Sequence, residues 1–194
     1  MAMTESTGTA CATAPEAWVR ESREEFEEAL RLLVEIPTVS SDPGAAADMQ
    51  RGAETAVELL RRFGAEARIV PTGGHPAVLG EFRSGSDART VTVYNHLDVQ
   101  PATPAEWSHP PFRLRVDGDR YYARGATDDK GPALVALFAA RQARRLGVPL
   151  NIRFLWEMEE EIGSPNFEPL LRHYRNELHA DSVLVSDTIW VARG

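Results

Sequence analysis

The chain has 194 residues, with 29 acidic against 21 basic side chains, a formal net charge of -8 and a single cysteine, Cys11. That length supports one domain with a sizeable core, while the acidic balance disfavours nucleic acid and anionic membrane surfaces and leaves a small molecule as the expected ligand. One cysteine excludes an internal disulfide and a thiolate metal cluster, and the lack of a secretory-type start or a membrane-length apolar run gives a cytoplasmic expectation.

A Thr/Ala-rich tail over 1–14 is expected to be mobile. Pro15 can open a helix, and Phe26, Leu30, Leu33 and Val34 recur at helical spacing up to Pro37. After the Ser40-Ser41-Asp42-Pro43-Gly44 loop, Met49, Ala53, Val57, Leu60 and Phe63 form one stripe of a second helix that Gly64 ends. Strands are expected over 67–70 and 77–82, around the turn Pro71-Thr72-Gly73-Gly74, where His75 has no assigned role. A buried strand over 90–94 leads to a proline-rich loop over 101–112 that holds Trp107 and His109, either a pocket wall or a packing loop. A hairpin over 112–116 and 121–124 delivers the chain to a largely buried helix over 131–146. A strand over 151–156, a helix over 167–178 with His173 and His179 on or beside its surface, and a strand over 182–185 complete the pattern. Strands alternating with helices of ordinary length predict an α/β fold of three layers, a mostly parallel sheet with helices on both faces.

Chemistry gathers where strands are expected to end. Thr127-Asp128-Asp129-Lys130-Gly131-Pro132 packs two carboxylates and the only lysine of the chain into the turn that opens the buried helix. Acidic groups there could simply cap the helix, but a lone lysine in an arginine-rich chain suits a compact charge held close to carboxylates. His96 and Asp98, two apart after an apolar strand, would face the same side, as a carboxylate does when it fixes the tautomer of a metal-binding histidine; a satisfied core histidine is the plainer alternative. Glu157, Glu159, Glu160 and Glu161 crowd the end of the next strand, an arrangement that repels itself unless cations or solvent relieve it. Asp187 follows the last strand. One imidazole with several carboxylates and no cysteine suits zinc, manganese or cobalt. Two ions that share a carboxylate can acidify a water between them, which a neighbouring glutamate deprotonates.

Tyr94-Asn95-His96-Leu97-Asp98-Val99-Gln100-Pro101, Trp107 with Pro110-Pro111-Phe112, Arg124 through Pro132, Glu159-Glu160-Glu161-Ile162-Gly163-Ser164 and Ser186-Asp187 resemble, in order and spacing, one family: the dinuclear zinc peptidases that include carnosine dipeptidase, succinyl-diaminopimelate desuccinylase, acetylornithine deacetylase and aminoacylase. The resemblance spans nearly all of the chain after the tail and implies a zinc-peptidase, phosphorylase/hydrolase-like catalytic domain. It implies that His96 ligates one zinc and Asp98 orients it, that Asp128 bridges both metals, and that Glu160 is the general base. Glu161 would ligate one metal and Asp187 the other, with Asp129 and Lys130 supporting them from behind, and the peptide bond after Asp128 would be cis. An aspartate at Asp187, and the run 186–190 ending in Trp190, are similar to the dipeptidase branch, so hydrolysis of dipeptides or short peptides is expected. N-acyl amino acid deacylation is the rival reaction, and a non-catalytic assembly module the rival of another class.

The resemblance further implies that residues 15–194 are the N-terminal segment of a catalytic domain, with the lid and dimerisation domain absent. Counted that way, Asp187 serves the second zinc alone beyond the bridge. A second histidine would come from later sequence, with His109 a remote stand-in. The intact enzyme is expected to be a homodimer acting on a small peptide. The present chain is expected to hold at most one metal tightly and to expose an apolar sheet edge or face to its C-terminal remainder or to a partner chain.

Overall fold

The computed structural model describes residues 15–187; the expected tail over 1–14, Cys11 and Trp190 lie outside the described residues. Helix α1 (Pro15–Val34) and helix α2 (Ala46–Arg62) turn their apolar stripes inward, and Leu30, Leu33, Met49, Ala53 and Leu60 are buried. Strands β1 (Glu66–Val70) and β2 (Ala77–Phe82) follow and pair antiparallel. The few residues between them can reverse the chain but cannot carry it over a sheet to a parallel neighbour.

Strand β3 (Arg89–His96) leads through the proline-rich loop into a short hairpin of β4 (Arg115–Asp117) and β5 (Arg120–Tyr122), then into helix α3 (Lys130–Arg145). Strand β6 (Leu150–Glu157) returns beside β3 and parallel to it, so α3 lies in the crossover between them. Helix α4 (Phe167–His173) and strand β7 (Ser182–Val185) end the described chain, with β7 parallel to β3. Helix α4 is shorter than its sequence pattern, because Tyr174 and Leu178 continue as turns that lay both side chains on the sheet.

The five-stranded sheet has the order β1-β2-β6-β3-β7. It is mixed: β3 is parallel to β6 and β7, while β2 is antiparallel to both of its neighbours. Alternation along the strands feeds two cores. Val78 and Phe82 of β2, with Phe154 and Trp156 of β6, pack under α1, α2 and α3, whereas Ala77, Leu79 and Leu155 face Leu170 of α4. The first core is much the larger, and truncating a member such as Phe154 to alanine would cost about 3–5 kcal/mol. Arg141 sits inside it, its guanidinium 4.5 and 4.6 Å from the ring centroids of Phe138 and Phe63 and 2.7 Å from Glu25.

The two edge strands differ. On β1 the exposed Glu66 and Arg68 carry charge, whereas β7 exposes Val183, Leu184 and Val185 at 66%, 53% and 60%.

Candidate metal centre

Strands β3, β6 and β7 run the same way, so their carboxyl ends emerge on one edge, where open α/β sheets carry their ligand sites. His96 ends β3 directly opposite Glu157, which ends β6. Asp187 lies just beyond β7, and the start of α3 brings in Asp128 and Asp129.

His96 is buried. Its Nδ1 lies 3.1 Å from the main-chain oxygen of Asp98 and 3.4 Å from Asp98 Oδ1, while Nε2 lies 3.0 Å from Asp128 Oδ1 and 3.9 Å from Glu160 Oε2. With Nδ1–H donating toward Asp98, Nε2 is the nitrogen presented to the cluster, the arrangement a metal-ligating histidine uses. Burial opposes a charge on His96, but Asp98, with Asp129 and Asp128 beyond it, raises the pKa to about 10. Burial likewise opposes ionisation of Asp98, yet His96 and the Glu161 amide hold it below the usual carboxylate range. The Asp98 carboxylate also accepts the main-chain N–H groups of Glu160 at 3.2 Å and Glu161 at 3.0 Å, so one side chain sets both the histidine and the glutamate loop.

The peptide bond between Asp128 and Asp129 is cis, as the resemblance implied. The two side chains part there. Asp128 faces the cluster, half exposed, whereas Asp129 is buried beneath it and accepts from Asn95 Nδ2 at 2.8 Å and from the His96 amide at 3.1 Å. Burial drives the Asp129 pKa up to about 7 despite those donors.

Lys130, expected behind the ligands, turns the other way. Its Nζ donates to the carbonyls of Leu33 and Ile36, each at 2.9 Å, at the C-terminal end of α1. Unsatisfied carbonyls and the negative end of the helix dipole gather there, which is where an ammonium is most useful. Burial lowers its pKa to about 7, with Asp98 and Asp48 opposing the shift. Lys130 therefore ties α3 to α1 beneath the site and hydrogen-bonds to no carboxylate among the described residues.

The four glutamates split into two pairs. Glu157 and Glu159 are buried, whereas Glu160 and Glu161, on a short 3-10 turn, face the cluster. Glu157 accepts from the hydroxyl of Tyr94 and from Ser164 Oγ, and burial raises its pKa. Glu161 accepts from Gln100 Nε2 at 2.7 Å; burial raises its pKa, and the charge of Asp128 adds to the rise. Tyr94, Asn95 and Gln100 thus have tasks that reading the motifs did not assign; their position inside the His96 motif was the available signal.

Two groups of donor atoms lie within 4.8 Å of one another: His96 with Asp128 and Asp187, and His96 with Glu160 and Glu161. Asp187 falls in one group with His96 and Asp128. The donor set fits a divalent metal, since an imidazole nitrogen and mutually repelling carboxylates converge without a thiolate. His109 joins neither group among the described residues and lies 3.0 Å from the Tyr122 carbonyl oxygen, between Trp107 and Tyr122.

The family model described as "Peptidase family M20/M25/M40" matches residues 92–193. The Cys-Gly metallodipeptidase dug1 of Schizosaccharomyces pombe is 35% identical over 189 residues, 89% of this chain and 40% of that protein. The Beta-Ala-His dipeptidase of Homo sapiens is 33% identical over 190 residues, 88% of this chain and 37% of that protein. Among solved structures, human carnosine dipeptidase 1 superposes with a TM-score of 0.82 at 32% identity, over 90% of this chain and 41% of that one. The chain spans about two fifths of the length of the curated relatives it matches.

Proposed function

Because this chain belongs to peptidase family M20/M25/M40, we propose that its protein is a zinc-dependent peptidase that hydrolyses the amide bond of dipeptides or short peptides with a free amino terminus. The observation that carries the reading is the convergence of His96, Asp128, Asp187, Glu160 and Glu161 into two donor groups that share the His96 imidazole. The matched dipeptidases of fission yeast and human support the substrate class.

His96, Asp128 and Asp187 would hold one ion, and Glu161 with Asp128 would contribute to a second; zinc is favoured, with manganese or cobalt as chemically admissible substitutes. Such ions, when bound, supply Lewis acidity to water and to the scissile carbonyl. The remaining work falls to side chains. Asp98 keeps Nδ1 of His96 protonated so that Nε2 stays a donor of electrons. Glu160 is free of the hydrogen bonds by which Tyr94 and Ser164 hold Glu157 and Asn166 and His75 hold Glu159, so its carboxylate can take a proton from the attacking water and pass it to the leaving amine. The reading extends to a cytoplasmic homodimer. Among the described residues no helix is long and apolar enough to cross a membrane.

The test is zinc content together with hydrolysis, measured on the protein and on His96→Ala against dipeptides and N-acetyl amino acids. Dipeptide hydrolysis with zinc lost in His96→Ala is expected. Activity confined to the acylated compounds would replace peptidase by deacylase, and zinc content unchanged in His96→Ala would remove the metal centre.

A further inference from the structure

Glu159 opens the 3-10 turn that carries Glu160 and Glu161, yet its own carboxylate points back into the fold and is buried. The Glu159 carbonyl accepts from Ser164 N at 2.8 Å, and its side chain is held from two sides. Asn166 Nδ2 donates to Oε1 and Oε2 at 3.2 and 2.9 Å, and the main-chain N–H of His75 donates to Oε1 at 2.9 Å. His75 belongs to the turn between β1 and β2, far from Glu159 in sequence, and the turn is itself fixed. Thr72 Oγ1 donates to the His75 carbonyl at 2.5 Å and accepts from Gly74 N at 3.0 Å, and the His75 ring lies 3.1 Å from the Ser40 carbonyl oxygen. The Ser40 loop is in turn bridged through Val39 to Val99, one residue past Asp98.

The fit is close. A Cβ on Gly74 would stand 2.0 Å from Glu159 Oε1 and 2.8 Å from Asn166 Nδ2, and one on Gly73 would stand 2.3 Å from Asn166 Oδ1. The space at Gly74 is taken by the captured carboxylate and that at Gly73 by the Asn166 amide that holds it; neither glycine is among the residues with positive φ.

We propose that turn 72–75 is the positioning element of the site: by capturing the Glu159 carboxylate it fixes the direction in which Glu160 and Glu161 leave the backbone. This rests on the reading of Glu160 and Glu161 as metal-site residues. It explains why three consecutive glutamates do not compete for one role, since the first is occupied as an anchor and the next two are aimed by it. His75, Asn166 and Gly74 are positioning residues that act through Glu159 and touch none of the donor groups.

The test separates aim from stability. Gly74→Ala meets only the ends of two flexible side chains, Glu159 and Asn166, so it should expel the Glu159 carboxylate without unfolding the sheet. Asn166→Asp sets a carboxylate against a carboxylate, and Glu159→Gln/Asn166→Asp restores the pair with donor and acceptor exchanged, the glutamine oxygen still accepting from His75. Amide hydrogen exchange on the metal-free chain reads the consequence directly. The Glu160 and Glu161 amides, bonded to Asp98 in the intact site, should exchange about 10- to 100-fold faster in both single variants, the factor expected for losing hydrogen bonds to a charged group. They should return in the double variant while Tyr94 and Leu155 amides in the sheet stay unchanged throughout. Zinc affinity by chelator competition should fall about 10- to 100-fold and recover in parallel, the usual cost of disturbing groups behind a ligand. Unchanged exchange at Glu160 and Glu161 in both single variants would overturn the proposal. Zinc uptake equal in the unaltered chain and His96→Ala would overturn the metal reading instead, with exchange still deciding the role of the turn.

Discussion

The floor and the rim of the site are made of the same residue types in opposite conditions. On the floor, Asp98, Asp129, Lys130, Glu157 and Glu159 are buried, and each has found a hydrogen-bonding partner. On the rim, the Asp128 and Glu160 side chains are 50% and 39% exposed, Glu161 is intermediate, and Asp187 is exposed. A buried ionisable group is costly to leave unpaired and therefore fixes structure, whereas an exposed one can change partner and so can bind or move a proton. Among the carboxylates of this edge, burial divides scaffold from chemistry; His96, buried and yet shared by both donor groups, is the exception.

The sharpest way to break that comparison is to mutate one residue of each kind. Glu160→Gln removes a proton acceptor from the rim without touching the floor. On the proposed function, turnover should fall about 10²- to 10⁴-fold, the usual worth of a positioned general base, with zinc content retained. Loss of zinc equal to that of His96→Ala would mean that Glu160 is a ligand instead.

On the floor, Lys130 gives a stability signature. Its folded pKa is lowered from 10.5 to about 7, so between those values the unfolded chain binds more protons than the folded one, and this group makes stability rise with pH across that window. Below pH 7 the cost of burying its charge is fully present. Compared with Lys130→Met, the unaltered chain should gain up to about 1.4 kcal/mol per pH unit between pH 7 and 10, read from urea unfolding midpoints at each pH. Parallel profiles for the two proteins would show that the lysine titrates normally.

The smallest expected effect belongs to the boundary between floor and rim. Gln100 is exposed but steadies Glu161 through both its carboxylate and its carbonyl. Gln100→Ala should weaken zinc binding by about threefold to tenfold, in line with about 0.5–1.5 kcal/mol for an accessible hydrogen bond, and leave the thermal midpoint of the metal-free chain unchanged. A calorimetric zinc titration measures the first and a melting curve the second.

Much of this was legible in the sequence, and the reason is periodicity. The stripes of α1 and α2 and the apolar runs of β3 and β6 announce themselves by spacing, and strand ends then mark where His96, Asp128, Glu160, Glu161 and Asp187 must meet. What periodicity does not reach is direction inside irregular backbone. Glu157 through Glu161 leave a strand and enter a 3-10 turn, where no two-residue or helical repeat says which carboxylates face inward. Lys130 was legible as unusual but not as a tie to Leu33 and Ile36, because α1 lies nearly a hundred residues away and only tertiary packing brings its carbonyls near. His75 was opaque for the same reason: its main chain, not its imidazole, makes the contact with Glu159.

The unequal edges of the sheet have a practical consequence. At β1 the exposed glutamate and arginine act as gatekeepers, since pairing a foreign strand there would oppose charged side chains. Strand β7 has no such guard. Its residues Ser182, Val183, Leu184 and Val185 include three exposed aliphatics and no charge, the composition that recruits further strands from concentrated solution. Self-association of this segment should therefore begin at β7, and its working concentration in any of the experiments above will be set by four residues that take no part in the chemistry.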